Sequence, residues 1–185
     1  MFIQTETTPN PATLKFLPGR AVLAEGTRDY RSEADAAESP LAEALFAVPG
    51  VAGVFYGYDF VSVTKDEAAD WQHLKPAILG AIMEHFVAGS PLFADEAVAV
   101  ADDEFFEASD AETVAAIKEL IDTRVRPAVA NDGGDITFKG FKDGVVFLTM
   151  KGACSGCPSS TATLRHGIQN LLKHFLPEVR EVRAA

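Results

Sequence analysis

Apolar and polar positions in the first half of the chain predict two short strands followed by a helix. The strands are expected over Phe2 to Glu6 and Thr13 to Leu17, and the breaker run Thr8-Pro9-Asn10-Pro11 separates them. Ser39 followed by Pro40 is typical of a helix start, because a hydroxyl caps the first turn and proline fits its first position. The next breaker, Pro49-Gly50, is expected to end that helix.

A hairpin and a longer helix follow in the same half. The segments Val51 to Tyr56 and Phe60 to Thr64 favour strands that pair around Gly57-Tyr58-Asp59. One apolar face then repeats at helical spacing through Trp71, Leu74, Ile78, Ile82 and Phe86. These elements predict an α+β unit without an obvious reactive group.

The second half shows a similar mixture of periodicities. Ser109 and Glu112 have capping-box spacing, and Pro127 is expected to end the helix striped by Val114, Ile117, Ile121 and Val125. A tight turn at residues 131–134 leads into strands over Asp135 to Phe141 and Val145 to Met150, joined by Lys142-Asp143-Gly144. The chain then predicts a loop over Gly152 to Pro158, a final helix closed near Pro177, and an edge strand over Val179 to Val182.

An acidic stretch separates the two halves. No lysine or arginine occurs between Lys75 and Lys118, and Gly89-Ser90-Pro91 opens the segment. Self-repelling acidic segments marked by Pro and Gly are typical of linkers. We therefore expect a fold of class α+β, with two small domains at residues 1–88 and 109–185 joined by an acidic linker at residues 89–108.

Charge and hydropathy exclude several classes of function. The net charge of −11 opposes nonspecific attraction to nucleic acid or anionic lipid. Charge, glycine or proline interrupts every apolar run well before the roughly 20 residues that a transmembrane helix needs. The N-terminal residues lack the features of a secretory signal or an organellar presequence. We expect no nucleic acid and no membrane as partners, and a bacterial cytoplasm as the location; a processed mitochondrial form has the same features.

The candidate chemistry lies in Cys154-Ser155-Gly156-Cys157-Pro158, between a predicted strand and a predicted helix. A separation of three residues on a glycine-containing loop lets two sulfur atoms converge on one metal centre. The N-terminus of the following helix is expected to favour thiolate over thiol. Cys154 and Cys157 are therefore the predicted metal and cofactor ligands, and no catalytic residue is predicted.

The number of ligands limits what this pair can hold. Zinc sites and [4Fe–4S] clusters usually take about four protein ligands, and the chain contains only 2 cysteines. The four histidines, His73, His85, His166 and His174, form no clear partner pair in the sequence. A symmetric dimer that brings two CxxC pairs together supplies four thiolates.

A CxxC motif alone leaves other functions open. A dithiol oxidoreductase would use Cys154 as nucleophile and Cys157 as the resolving thiol, but such motifs usually lie in a βαβ pattern, whereas a hairpin precedes this one. A zinc-bridged interaction module shares the ligand geometry. Simple packing of two buried cysteines is a further, weaker interpretation in a loop of Gly, Ser and Pro.

Two longer stretches carry a resemblance to a known family. Residues 131–136, Asn-Asp-Gly-Gly-Asp-Ile, together with Lys151 to Thr161 and Leu164, resemble the NifU C-terminal-like (Nfu) iron–sulfur scaffold domain over residues 110–182. Residues 1–11 with Leu14 to Gly19 resemble the N-terminal domain of mitochondrial and alphaproteobacterial Nfu proteins. Of the family's functional residues, only the ligands Cys154 and Cys157 carry over.

The resemblance implies a function and a set of partners. It implies a scaffold or carrier, not an enzyme, that binds a [4Fe–4S] cluster between two subunits through their CxxC motifs. Its implied partners are a second copy of the chain, upstream cluster-assembly proteins, and apo client proteins of the lipoyl synthase or aconitase type. The Gly133-Gly134 turn is interpreted as structural, because a phosphate-binding loop would be longer and would precede a helix, whereas a strand is predicted here.

Overall fold

The computed structural model describes residues 1–94, 103–155 and 158–185. The chain divides into two compact units, Met1–Ala99 and Val100–Ala185. Each unit contains its own sheet and helices, which confirms the predicted α+β class with two domains. The predicted linker bounds, 89–108, stay a prediction, and their middle part lies outside the described residues.

A five-stranded antiparallel sheet forms the centre of the first unit. Its strands are β1 Gln4–Thr7, β2 Thr13–Leu17, β3 Arg28–Tyr30, β4 Val51–Tyr56 and β5 Val61–Lys65, in the spatial order β1-β2-β5-β4-β3. The sequence predicted all of these except β3. The pattern of β3 is short and polar, and its pairing with β4 and the burial of Tyr30 against Tyr56 are tertiary effects.

Two helices of this unit, α1 Pro40–Phe46 and α2 Trp71–Ala88, pack on the sheet. The predicted start of α1 is confirmed, because Ser39 Oγ accepts a hydrogen bond from the Ala42 N–H at 3.4 Å. Helix α2 begins at its cap Asp70 and ends at Gly89, whose φ of 66° is left-handed. A 3-10 turn at Asp35–Glu38, which the sequence did not predict, leads into α1.

The second unit starts with a helical segment that differs from the prediction. It consists of α3 Ala111–Leu120, a π turn at Ile121–Val125 and α4 Arg126–Asn131. The predicted capping box is wrong, because Ser109 lies within a 3-10 turn and caps no helix with its side chain.

The sequence predicted that Pro127 ends the helix, but in the structure the helical segment continues through Pro127 to Asn131. The Arg126 N–H bonds to the Ile121 carbonyl, in the longer register of a π turn, so Pro127 falls in the first turn of α4. Proline is tolerated there because the first N–H groups of a helix have no partner within it.

A three-stranded sheet completes the second unit. Strand β6 Gly134–Lys142 pairs antiparallel with β7 Val145–Gly152, and β8 Glu181–Ala184 pairs parallel with β7. The predicted turn between β6 and β7 is confirmed by positive φ angles of 53° at Asp143 and 77° at Gly144. Helix α5 Pro158–Phe175 follows β7, and a buried core that includes Ile117, Ile136, Leu148 and Leu172 joins helices to sheet.

The outer edge of β6 is covered at one point by the segment before α3. The Phe105 N–H donates to the Lys139 carbonyl at 3.1 Å, and the Phe141 N–H donates to the Phe105 carbonyl at 2.9 Å. The Phe105 ring fills the space left by Gly140, beside a register shift in β6 between Phe138 and Gly140. None of the helices in the described parts of the chain is long and apolar enough to span a bilayer.

Candidate functional site

The predicted motif lies at the junction between β7 and α5. The predicted placement between a strand and a helix is confirmed. Strand β7 runs to Gly152, two residues beyond the predicted Met150, a turn covers residues 153–155, and α5 already begins at Pro158, which the sequence predicted as loop. Cys154 is described, and it is buried with 7% of its surface exposed. Cys157 lies outside the described residues, so its place as a ligand stays a prediction.

Cys154 rests on the glycine turn that precedes β6. A Cβ added at Gly134 would lie 2.7 Å from Cys154 Sγ and 2.6 Å from the Lys151 carbonyl oxygen. The Ala153 N–H donates to the Gly133 carbonyl at 3.2 Å, which ties the loop to the turn. The sequence predicted a structural role for these glycines. In the structure, the Cys154 thiol packs directly against Gly134.

Side chains and backbone groups of the loop fix the backbone around Cys154. Ser155 donates to the Gly152 carbonyl twice, from its N–H at 3.0 Å and from its Oγ at 2.8 Å. From α5, Thr161 Oγ1 donates to the carbonyl of Cys154 itself at 3.0 Å. Gly152 permits the sharp turn at the strand end with a left-handed φ of 64°. Position 154 is therefore held from both flanking elements.

The electrostatic surroundings of Cys154 disfavour the thiolate. Burial first, and then the negative charges of Asp132 and Asp135, together raise the pKa of its thiol from 9.0 to about 12. The expectation that the helix N-terminus favours thiolate at this position is thus wrong for Cys154.

An ion pair lies beside this thiol. Arg126 Nε donates to Asp135 Oδ1 at 2.8 Å, and a terminal guanidinium nitrogen donates to Asp135 Oδ2 at 2.9 Å. The other terminal nitrogen of Arg126 donates to Asp122 at 3.2 Å. The Asp135 side chain is 5% exposed, and its hydrogen bonds raise the pKa of Arg126 above its already high ordinary value. The sequence pattern did not indicate that Arg126 and Asp135 belong to the site, because only the π turn brings Arg126 to this position.

The four histidines lie in helices α2 and α5. His85 is buried in α2 against the Phe86 ring, and burial lowers its pKa. His73 is exposed in the same helix, while His166 and His174 are exposed on α5. Within residues 1–94, 103–155 and 158–185, no group of three or more His, Cys, Asp or Glu is arranged to hold a metal ion.

Two family models match this chain, one in each unit. The model described as "Scaffold protein Nfu/NifU N terminal" matches residues 3–89. The model described as "NifU-like domain" matches residues 117–183, which include Cys154 and Cys157.

Curated relatives match over nearly the whole chain. "NifU-like protein 5, mitochondrial" from Arabidopsis thaliana is 50% identical over 98% of this chain and 67% of its own length. "NFU1 iron-sulfur cluster scaffold homolog, mitochondrial" from Drosophila ananassae is 51% identical over 98% of this chain and 63% of its own length. The chain therefore spans about two thirds of the length of these relatives.

A solved structure of a NifU-like protein from Saccharomyces cerevisiae is also similar. It is 28% identical over 52% of this chain and 87% of its own chain, with a TM-score of 0.47. On the two family models and the identity over nearly all of its residues, this chain belongs to the Nfu/NifU-like family of iron–sulfur cluster scaffold proteins.

Proposed function

We propose that this protein carries a [4Fe–4S] cluster, held by Cys154 and Cys157 and shared between two copies of the chain, and transfers it to apo client proteins. The observation that carries the proposal is the position of Cys154. It lies in a fixed turn between β7 and α5, inside a CxxC motif, in a chain whose relatives are named as cluster scaffolds.

The number of sulfur ligands supports a shared cluster. The chain contains 2 cysteines, and a [4Fe–4S] cluster ordinarily binds about four. Two copies related by a two-fold axis present two identical CxxC motifs to one cluster. We therefore expect the loaded form to be a dimer.

Transfer proceeds by ligand exchange without any change in oxidation state. A client thiolate forms a bond to iron while one Fe–S bond to Cys154 or Cys157 breaks. The freed cysteine takes up one proton, and each client thiol loses one as it binds. Burial and the neighbouring carboxylates favour the protonated form of Cys154, so its thiolate regains a proton readily once the iron has left.

The same environment argues against a dithiol oxidoreductase. Such enzymes need an exposed nucleophilic cysteine whose pKa is lowered toward neutrality. Cys154 is buried and its pKa is raised. We therefore propose a carrier without catalytic activity, and we expect the metal-free protein not to reduce insulin disulfides. A colourless, zinc-loaded protein would instead support a zinc-bridged module.

Anaerobic reconstitution with iron and sulfide tests the proposal. We expect about four iron and four sulfide per dimer, with broad visible absorption. Cys154→Ser and Cys157→Ser should each abolish the cluster. Ser109→Ala is the control, because Ser109 is exposed, lies in the turn before α3 and caps no helix with its side chain, and this variant should retain the cluster. A double Cys→Ser variant that still binds the cluster would refute the proposal.

Sedimentation of the loaded protein tests the sharing of the cluster. Removal of iron by a chelator should convert the dimer to monomer, and a loaded monomer without added thiols would contradict a shared cluster.

The clients we propose are apo iron–sulfur enzymes of the lipoyl synthase or aconitase type, supplied after upstream assembly proteins load the carrier. Free thiol ligands need a reducing compartment, such as a bacterial cytoplasm or the mitochondrion named for the relatives.

A further inference from the structure

Two carboxylates flank the glycine turn under Cys154, and they differ in how their charge is balanced. Asp135 is buried and receives two hydrogen bonds from Arg126, so its charge is compensated. Asp132 is exposed, and its carboxylate has no hydrogen-bond or ion-pair partner within the described part of the chain. The turn therefore leaves one uncompensated negative charge beside the loop.

This charge is held close to the cysteine. The residue after Asp132, Gly133, accepts the Ala153 N–H, and Gly134 lies in contact with Cys154 Sγ. Among the described residues, the side-chain charges that raise the pKa of the thiol are those of Asp132 and Asp135, and both are negative. A cluster bound to Cys154 would therefore be repelled by the Asp132 carboxylate, whose charge no cation among the described residues compensates.

A structural role does not account for this aspartate. Helix α4 ends at Asn131, so Asp132 occupies its C-cap position, where a negative charge is unfavourable to the helix dipole. Its φ of −84° and ψ of 5° suit any residue, so no backbone strain requires aspartate. The charge costs helix stability, which favours a functional reason for it.

We propose that Asp132 weakens the hold of the site on its cluster and thereby sets how readily the cluster leaves. The inference rests on the proposed carrier function. A [4Fe–4S]²⁺ or [2Fe–2S]²⁺ core with four thiolates carries about two net negative charges, whichever cluster is bound. Repulsion by one Asp132 from each copy raises the energy of the loaded state and favours exchange onto client thiols.

Charge variants of the full chain test this inference. Asp132→Asn removes the charge and Asp132→Lys reverses it, and both should slow the loss of the reconstituted cluster to an iron chelator. Asp132→Asn removes a screened repulsion between one carboxylate of each copy and a doubly negative core, and at physiological salt this predicts about three- to tenfold slower loss. Asp132→Lys should be slower still, and Asp132→Glu should resemble the wild type.

Asp143→Asn is the matched control. It removes the same charge from the β6–β7 turn, where Asn-Gly suits the positive φ angles. The length of β6 places it roughly 25 Å from Asp132, several Debye lengths away. This variant should lose its cluster at the wild-type rate.

Ionic strength separates a charge effect from a structural one. The difference between wild type and Asp132→Asn should shrink several-fold between 50 mM and 500 mM salt, where screening is stronger. In the metal-free Cys157→Ser background, Asp132→Asn should also speed alkylation of Cys154 by iodoacetamide.

The outcomes distinguish this inference from the carrier function. Equal rates of cluster loss for wild type, Asp132→Asn and Asp132→Lys at low salt would overturn the role of Asp132, as would a difference that salt leaves unchanged. A wild-type protein that takes up no iron would instead overturn the carrier function.

Discussion

Gly134→Ala tests the most specific geometric feature of the site, the contact between the glycine turn and Cys154. The added methyl group would lie 2.6 Å from the Lys151 carbonyl oxygen, 2.7 Å from Cys154 Sγ and 3.1 Å from the Cys154 nitrogen. Two of the three contacts are with backbone atoms, which cannot swing aside as a flexible side chain can. The substitution must therefore move either β6 or the cysteine loop.

The cost follows from two opposing terms. Overpacking of this kind destabilises a protein by about 1–3 kcal/mol. Gly134 does not have a left-handed φ, so alanine can adopt its backbone conformation. Because alanine restricts the unfolded chain more than glycine does, the substitution also stabilises the folded state by about 0.5–1 kcal/mol. The net expectation is a loss of about 1–2 kcal/mol from the second unit, together with weaker cluster retention because Cys154 is displaced.

Gly167→Ala is the matched control with the opposite sign. Gly167 lies in α5 with nothing within 4 Å of an added Cβ. Replacing glycine by alanine inside a helix stabilises it by about 0.5–1 kcal/mol. The two variants thus make the same chemical change in one unit and should move stability in opposite directions.

Urea unfolding followed by far-UV circular dichroism is the assay. All three tyrosines and the single tryptophan, Tyr30, Tyr56, Tyr58 and Trp71, belong to the first unit. Intrinsic fluorescence therefore reports that unit and serves as an internal reference, while circular dichroism reports both. If Gly134→Ala unfolds at the wild-type urea concentration and keeps its cluster as long, the close contact with Cys154 does not exist in solution.

Three further predictions concern charge, pH and the β6 edge. Arg126→Met should lower the free energy of unfolding, measured in urea, by about 2 kcal/mol, because it leaves the buried carboxylate of Asp135 unpaired while Arg126 itself is partly exposed. The metal-free protein should lose stability as pH rises between about 9 and 12, and less so in Cys154→Ser, because the folded state holds the thiol proton more tightly. Gly140→Ala should expel the Phe105 ring and speed chymotrypsin cleavage there.

Controls and contrary results apply to each of these predictions. Arg183→Met removes an exposed pair with Glu181 and should leave stability unchanged. If it costs as much as Arg126→Met, burial of the ion pair is not the cause. Equal alkaline sensitivity of wild type and Cys154→Ser would remove the thiol as its source. Cleavage near Phe105 at the wild-type rate in Gly140→Ala would show that the ring does not occupy that space.

Local chemistry determined a large part of this protein in advance of its structure. Ser39 and Pro40 specify a helix start, and Asp143-Gly144 specifies a two-residue hairpin turn. These features depend on neighbouring residues alone, which the sequence displays directly. The CxxC spacing and its surrounding residues likewise indicated the candidate ligands and the family.

The tertiary structure decided the environment of those ligands. A one-residue register shift in β6 places Gly134 opposite Gly152, whereas counting back from the hairpin turn without it would pair Gly134 with Ala153. The π turn before α4 directs Arg126 to Asp135. Register shifts and helix irregularities depend on contacts between segments distant in sequence, so periodicity could not reveal them. For the same reason the burial that keeps the Cys154 thiol protonated became visible only when β6, β7 and α5 were assembled around it.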